Sequence, residues 1–192
     1  MLTPRQTEII NKSINIIATK GIQGLTIKNL SKEIGISEPA IYRHFESKID
    51  ILLAILEKFE KTTSFMNEVL NNKNISSLGK IEMMFTQIID IFSKEPSHIS
   101  VVFSEEIFKN EKVLKDQIVK IMNMKERAIA EIIREGQAQG EIRDDIDNDT
   151  LSLIVIGSLR FMVKRWDLMN KHQNLKGEGK NFINGLKLIL KK

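Results

Sequence analysis

The chain contains no cysteine, which removes disulfides, thiolate metal sites and cysteine nucleophiles together. No apolar run approaches the roughly 20 residues of a membrane span, and Met1-Leu2-Thr3-Pro4-Arg5 lacks the charged-then-apolar form of a signal peptide. A cytoplasmic protein with no membrane partner is therefore expected. Histidine is scarce, and His44, His98 and His172 stand without ligand spacing, so no metal is expected. Neither an acid–base pair nor an activated nucleophile stands out, so the expectation is of no enzyme, no catalytic residue and no cofactor. Alternating apolar and polar segments are missing as well, so the 192 residues read as all-α.

Charge of one sign is also in short supply. A net charge of +4 and a pI near 9.2 permit nucleic-acid binding without identifying it. Residues 1–50 hold seven Lys/Arg against five Asp/Glu, so any electrostatic steering depends on where those charges point. Two motifs fail when their spacing is checked. Asp145, Asp147 and Asp149 open like a calcium loop, but Thr150 stands where glycine is needed and Ile156 where glutamate is needed; helix capping explains them better. Gly177-Glu178-Gly179-Lys180 has no strand before it and no Ser or Thr after the lysine, so it reads as a loop without phosphate chemistry.

What is present begins at residues 26–45, TIKNLSKEIGISEPAIYRHF. Ile27, Leu30 and Ile34 fall on one helical face, Gly35 permits a left-handed turn, and Ser37 is positioned to cap the next helix with its side-chain oxygen. Glu38 suits a helix N-terminus, and Pro39 sits in the first turn, where no intrahelical N–H is required. The result is a compact helix-turn-helix. Only Ile41 and Phe45 in the second helix must face inward. Pro39, Ala40, Tyr42, Arg43 and His44 project elsewhere, offering contact to thymine methyls, hydrogen bonds to phosphate and positive charge. Ser47 to Asp50 has a capping-box form with Asp in place of Glu, and Lys48 can share a phosphate with the amides of that helix start.

These residues resemble the tetracycline-repressor (TetR) family of transcription regulators. The resemblance rests on Gly21, Thr26, Gly35-Ile36-Ser37, Tyr42-Arg43-His44-Phe45, Ser47-Lys48 and Ile51-Leu52-Leu53, about the first quarter of the chain. It implies that Lys28, Ser37, Pro39, Ala40, Tyr42, His44 and Lys48 occupy positions that touch DNA. Glu38 lies among them, able to accept from cytosine N4 while repelling phosphate. Residues 1–47 are then a three-helix DNA-binding head, and residues 48–192 a helical body for effector binding and dimerisation, about nine helices in all.

Thr3-Pro4-Arg5-Gln6 opens helix 1 as a capping box, with Ile10, Ile14 and Ile17 facing inward up to Gly21. A fourth helix is expected from Ser47 to about Leu70, long enough to link head to body and to carry a ligand-induced shift to the recognition helix. An amphipathic stripe follows at Leu78, Ile81, Met84, Phe85, Ile88, Ile89 and Phe92, then a short helix over 97–108 and a central one from Glu111 towards Gly136. Residues 151–166, LSLIVIGSLRFMVKRW, are apolar on nearly every side and need two buried faces. Periodicity leaves open whether one chain covers both. With small Gly157 and Ser158 allowing close approach, a homodimer is expected through Leu151, Ile154, Gly157, Ser158, Phe182, Leu186 and Ile189, and the resemblance implies a four-helix interface of this kind. Two heads one helical turn apart, about 34–36 Å, then read a palindromic operator on double-stranded DNA.

The resemblance also implies a small-molecule effector in the body. Met84, Phe92, Phe103, Phe108, Met122, Phe161, Met162 and Trp166 offer an apolar wall, with Glu105 or Arg165 as an orienting charge, although the same residues fit a plain core. The expected function is a homodimeric repressor released from its operator by a hydrophobic or amphipathic ligand. The alternative is a DNA-binding scaffold of the nucleoid-occlusion type, which acts through a protein partner and has no effector pocket.

Overall fold

The computed structural model describes residues 2–104, 108, 111–169 and 174–192. Its helices are α1 (Pro4–Gly24), α2 (Ile27–Ile34), α3 (Glu38–Tyr42), α4 (Lys48–Thr62), α5 (Phe65–Asn71), α6 (Ser77–Lys94), α7 (Ser97–Val102), α8 (Lys112–Ala138), α9 (Asn148–Leu168) and α10 (Leu175–Leu190). Among the described residues the only extended pairing is an isolated antiparallel bridge between Ile142 and Lys191. The chain forms two packed units, Met1–Thr62 with Ser97–Val119, and Thr63–Pro96 with Lys120–Lys192.

In the first unit α1 packs against α2, α4 and α7. Its inward stripe of Ile10, Ile14 and Ile17 is joined by buried Ile9 and Ile16, because α1 is covered from more than one side. Ser13 lies within this apolar belt and satisfies itself by donating to the Ile9 carbonyl at 2.8 Å. The start of α1 is the expected capping box: Gln6 N donates to Thr3 Oγ1 at 3.2 Å, and Thr3 N donates to Gln6 Oε1 at 3.0 Å. Each such cap stabilises a helix by about 1 kcal/mol.

The long fourth helix is two helices. α4 ends at Thr62, and α5 starts at Phe65. Residues Thr62, Thr63 and Ser64 supply the reason: two are β-branched, and all three hydroxyls compete for backbone groups. Thr62 Oγ1 donates to the Lys58 carbonyl at 2.9 Å, and the ladder tightens to Met66 N→Thr63 O (3.2 Å) and Asn67 N→Ser64 O (3.1 Å). The expectation of one continuous helix through residue 70 is thereby corrected.

In the second unit α6 packs against α5, α9 and above all α10. The predicted stripe is buried at Leu78, Ile81, Met84, Phe85, Ile89 and Phe92, and Phe85 stacks on Phe182 with ring centroids 6.3 Å apart. Gly136 of α8 is required by close approach, since a Cβ there would lie 2.6 Å from Ile142 Cδ1 and 2.8 Å from Ser77 Cβ. Lys80 is fully buried and donates to Glu135 Oε2 at 2.6 Å. Glu141 caps the start of α6, accepting from Ser77 N (2.7 Å) and Leu78 N (3.3 Å). The chain end is tied to the same segment by Arg143 N→Leu190 O (2.8 Å) and Lys192 N→Glu141 O (3.3 Å).

Two other expectations change. The helix begun at Ser97 ends at Val102 instead of continuing to Phe108. Gly177–Lys180 is the opening of α10 rather than a loop: Asn174 Oδ1 accepts from Gly177 N at 3.2 Å, and Gly179 lies against Ile89. The acidic segment before α9 caps as expected, Asp147 Oδ1 accepting from Thr150 N at 2.8 Å.

Candidate nucleic-acid interface

The helix-turn-helix forms because each local signal finds its partner. Thr26 accepts from Asn29 N at 3.1 Å to start α2, while Asn29 Nδ2 donates to the Gly24 carbonyl at 2.9 Å and fixes the entry of the chain. At the other end Gly35 adopts φ 79° and ψ 34°, a left-handed conformation that costs glycine nothing. Gly35 N and Ile36 N both donate to the Ser31 carbonyl, at 2.9 and 3.0 Å, which closes the helix and aims the chain into α3.

Ser37 occupies the N-cap position of α3 by backbone conformation, but its hydroxyl makes no capping hydrogen bond. Across α3 and the turn that follows it, Ile41 is completely buried and Phe45 nearly so, whereas Glu38, Pro39, Tyr42 and Arg43 are exposed and Ala40 and His44 half-buried. One edge of a five-residue helix thus anchors it, and the remainder faces outward. The far end is held from α1, where Gln6 Nε2 donates to the His44 carbonyl at 3.3 Å. Gln6 therefore serves two helices, with its oxygen on the cap of α1 and its nitrogen on the end of the α3 segment.

Lys28 is exposed on α2. Lys48, at the start of α4, turns back in this state, its Nζ 3.4 Å from the Ile22 carbonyl. Ser47 accepts from Asp50 N at 3.2 Å as expected, but the Asp50 carboxylate accepts a hydrogen bond from the Ser47 hydroxyl at 2.8 Å instead of from the Ser47 backbone N–H. An aspartate is one methylene shorter than the glutamate of a full box, and the hydroxyl is what it reaches.

In the body, the residues expected to form an apolar wall differ in exposure. Met84, Phe92, Phe108, Met162 and Trp166 are buried, Phe103 is half-buried, and Met122 is exposed. Glu105 lies outside the described residues. Phe161 is 71% exposed and Arg165 is also exposed. With Ser158, Met162, Glu178, Asn181 and Phe182, these two line an open groove of about 430 Å³ between α9 and α10.

The same helices carry the residues expected at a dimer interface. Ile154, Gly157 and Ile189 are exposed and Ser158 and Phe182 half-buried, but Leu151 and Leu186 are buried within their own chain. Positions 154, 157, 161, 165 and 168 recur at helical spacing on one face of α9, and 182, 185 and 189 on one face of α10. Nothing lies within 4 Å of a Cβ built on Gly157 or Gly185, so the space beside each backbone is open.

The sequence compares directly with known proteins. Residues 9–55 match the family model for bacterial regulatory proteins of the tetR family, and residues 102–177 match a tetracyclin repressor-like C-terminal domain. The chain belongs to the tetR family. Among relatives of this tetR-family chain, the nucleoid occlusion factor SlmA of Vibrio atlanticus is 26% identical over 84% of this chain and 83% of its own length. The fatty acid metabolism regulator protein of Bacillus subtilis is 21% identical over 90% and 88%. The fold recurs in the transcriptional regulator FadR of Bacillus subtilis, crystallised with stearoyl-CoA, at a TM-score of 0.80 and 19% identity, covering 96% and 98% of the two chains.

Some residues of this tetR-family member were not singled out by sequence reasoning. Gln6 was identified as a cap but not as a tether of His44, because a contact between residues 38 positions apart leaves no local pattern. Leu153, Leu168 and Leu188, at 67, 70 and 78% exposure, extend the apolar surface of α9 and α10. The signal that finds Leu168 is the three-and-four spacing from Ile154 through Phe161, hidden by apolar residues on nearly every side of α9.

Proposed function

We propose that the chain is a cytoplasmic homodimeric transcription regulator, a binding protein rather than an enzyme. In this reading residues 1–47 bind a palindromic operator on double-stranded DNA, and residues 48–192 hold the second copy and a small hydrophobic or amphipathic effector that releases the operator. The observation that carries the reading is the division of residues 38–45, with Ile41 and Phe45 buried while Pro39, Tyr42 and Arg43 stand in solvent beside a Ser37 hydroxyl that makes no capping hydrogen bond. Ser37, Pro39, Ala40, Tyr42, Arg43 and His44 meet the duplex from α3 and its two ends, with Lys28 and Lys48 reaching its backbone from either side. Lys48 must leave the Ile22 carbonyl to do so, exchanging one weak hydrogen bond for a charge-assisted one.

Dimerisation is supported by the exposed faces of α9 and α10. Monomers rarely leave so many large apolar side chains in water on adjacent helices. Ile154, Gly157, Ser158, Phe182 and Ile189 form the interface, together with Phe161 and Leu168, while Leu151 and Leu186 support it from beneath. The chemical class of the effector is supported by the Bacillus subtilis regulator bound to stearoyl-CoA. The second reading, a DNA-bound scaffold acting through a protein partner, is favoured by the likeness to nucleoid occlusion factors and by the exposure of Met122 and Phe161, which the effector reading had placed on a pocket wall.

Fluorescence anisotropy on duplexes from the DNA flanking its own gene tests both. The expected result is salt-dependent binding with two heads per duplex, weakened by added stearoyl-CoA. Binding unchanged across a panel of acyl-CoA chain lengths supports the scaffold, and no binding at low ionic strength removes both.

A further inference from the structure

Three of the five acids in residues 1–50 are held by near neighbours, whereas Glu38, at the front of the recognition helix, and Glu46, beyond its end, have no hydrogen bond or ion pair among the described residues. Glu8 pairs with Arg5 at 2.6 Å, Glu33 with Lys12 at 3.5 Å, and the Asp50 carboxylate holds the Ser47 hydroxyl. Glu38 is exposed at the first position of α3 and its carboxylate has no hydrogen bond or ion pair among the described residues. In a helix-turn-helix the N-terminal residues of the second helix are those that reach base edges. A free carboxylate there is repelled by every phosphate it passes, so its place on a DNA-facing helix needs a base that accepts it.

An ionised carboxylate only accepts hydrogen bonds. In the major groove, guanine and thymine present acceptors (O6 and N7, and O4), and adenine places its N6 donor beside the N7 acceptor. Cytosine alone offers an amino donor with no acceptor of its own beside it. We propose that Glu38 is the base-discriminating residue of the recognition helix, imposing cytosine at one position of each half-site by accepting from its N4 amino group and repelling the other three bases. This rests on the DNA-binding reading above and adds to it the identity of one base.

Selection from a random duplex pool with the full-length protein tests it, run in parallel for the wild type, Glu38→Gln and Glu38→Ala. The wild type enriches a palindrome with cytosine at one symmetric position, preferred over the other bases by roughly 5- to 150-fold. Glu38→Gln, which can both donate and accept, moves that position to adenine and leaves the others unchanged. Glu38→Ala loses preference there while binding a non-cognate duplex more tightly, a pair of opposite changes that loss of folding does not produce. The proposal is overturned if all three proteins select the same base at every position, or if the responsive position reads a base other than cytosine in the wild type. If the wild type enriches no sequence at all, the DNA-binding reading itself fails and Glu38 has nothing to read.

Discussion

Replacing Phe161 by alanine should separate the two copies without unfolding either. A phenylalanine has roughly 200 Å² of surface to bury. At 71% exposure about 140 Å² of that remains in water in one chain. Removing it from water in a dimer contributes about 3.5 kcal/mol per copy at ~25 cal/mol per Å². A two-fold axis places the same side chain on both sides of the interface, so the ceiling is about 7 kcal/mol. Alanine retains part of the contact and the neighbours close in, which leaves roughly half, about 3–4 kcal/mol, or two to three powers of ten in the dimer dissociation constant. Sedimentation equilibrium measures that constant directly. A thermal melt monitored at a concentration where both proteins are monomeric should show no loss, because an exposed side chain contributes little to its own fold. Anisotropy on an operator duplex should fall in parallel with dimer content. The reasoning is refuted if Phe161→Ala dimerises as tightly as the wild type, or if the monomer melt falls by as much as the association energy.

Three further outcomes follow from the packing. Glu135→Ala strands the buried Lys80 ammonium and should cost about 3–5 kcal/mol, whereas Lys80→Met leaves only a 40%-exposed carboxylate that water can reach and should cost far less; urea midpoints that rank them the other way refute the assignment. Gly136→Ala forces a methyl into Ile142 and Ser77 and should destabilise by about 1–3 kcal/mol, while Gly157→Ala, with open space at its Cβ, should leave the monomer unchanged or slightly firmer and weaken only association. Asp90, Asp144, Asp145 and Asp147 are all held below the ordinary carboxylate value, by hydrogen bonds from Lys176, Lys192 and Arg143 and from the Thr150 amide respectively. A depressed carboxylate adds stability that is present above the unfolded value near 4 and is lost as pH falls through the lower folded value. Urea midpoints should therefore drop as pH falls below about 4, and Asp147→Asn should lessen the drop.

The head was legible because its determinants are local. Thr26, Gly35, Ile41 and Phe45 each act within a few residues, and the structure places each as the spacing required, while the Ser37 cap and the reciprocal half of the Ser47–Asp50 box are left unmade. The body was legible as helices but not as surfaces. The stripe of α6 could be phased because its opposite face is polar, whereas α9 is apolar nearly throughout, and which residues its own chain covers depends on α6 and α10, far away in sequence. Leu151 and Ile154 illustrate the point, three positions apart and equally apolar, with one buried and the other in water. The division at Thr63 was written in three consecutive hydroxyl residues, a signal outweighed by the helical pattern on both sides of it.

The first packed unit is discontinuous: the chain leaves at Thr62, builds α5 and α6 elsewhere, and returns at Ser97 to lay α7 against α1. A ribosome therefore releases the entire DNA-reading segment some fifty residues before the last strip of its supporting wall has emerged. A fragment cut after Thr62 leaves α1 with an apolar flank in water, so the reading head is not a detachable module and should lose its cooperative melt when expressed alone.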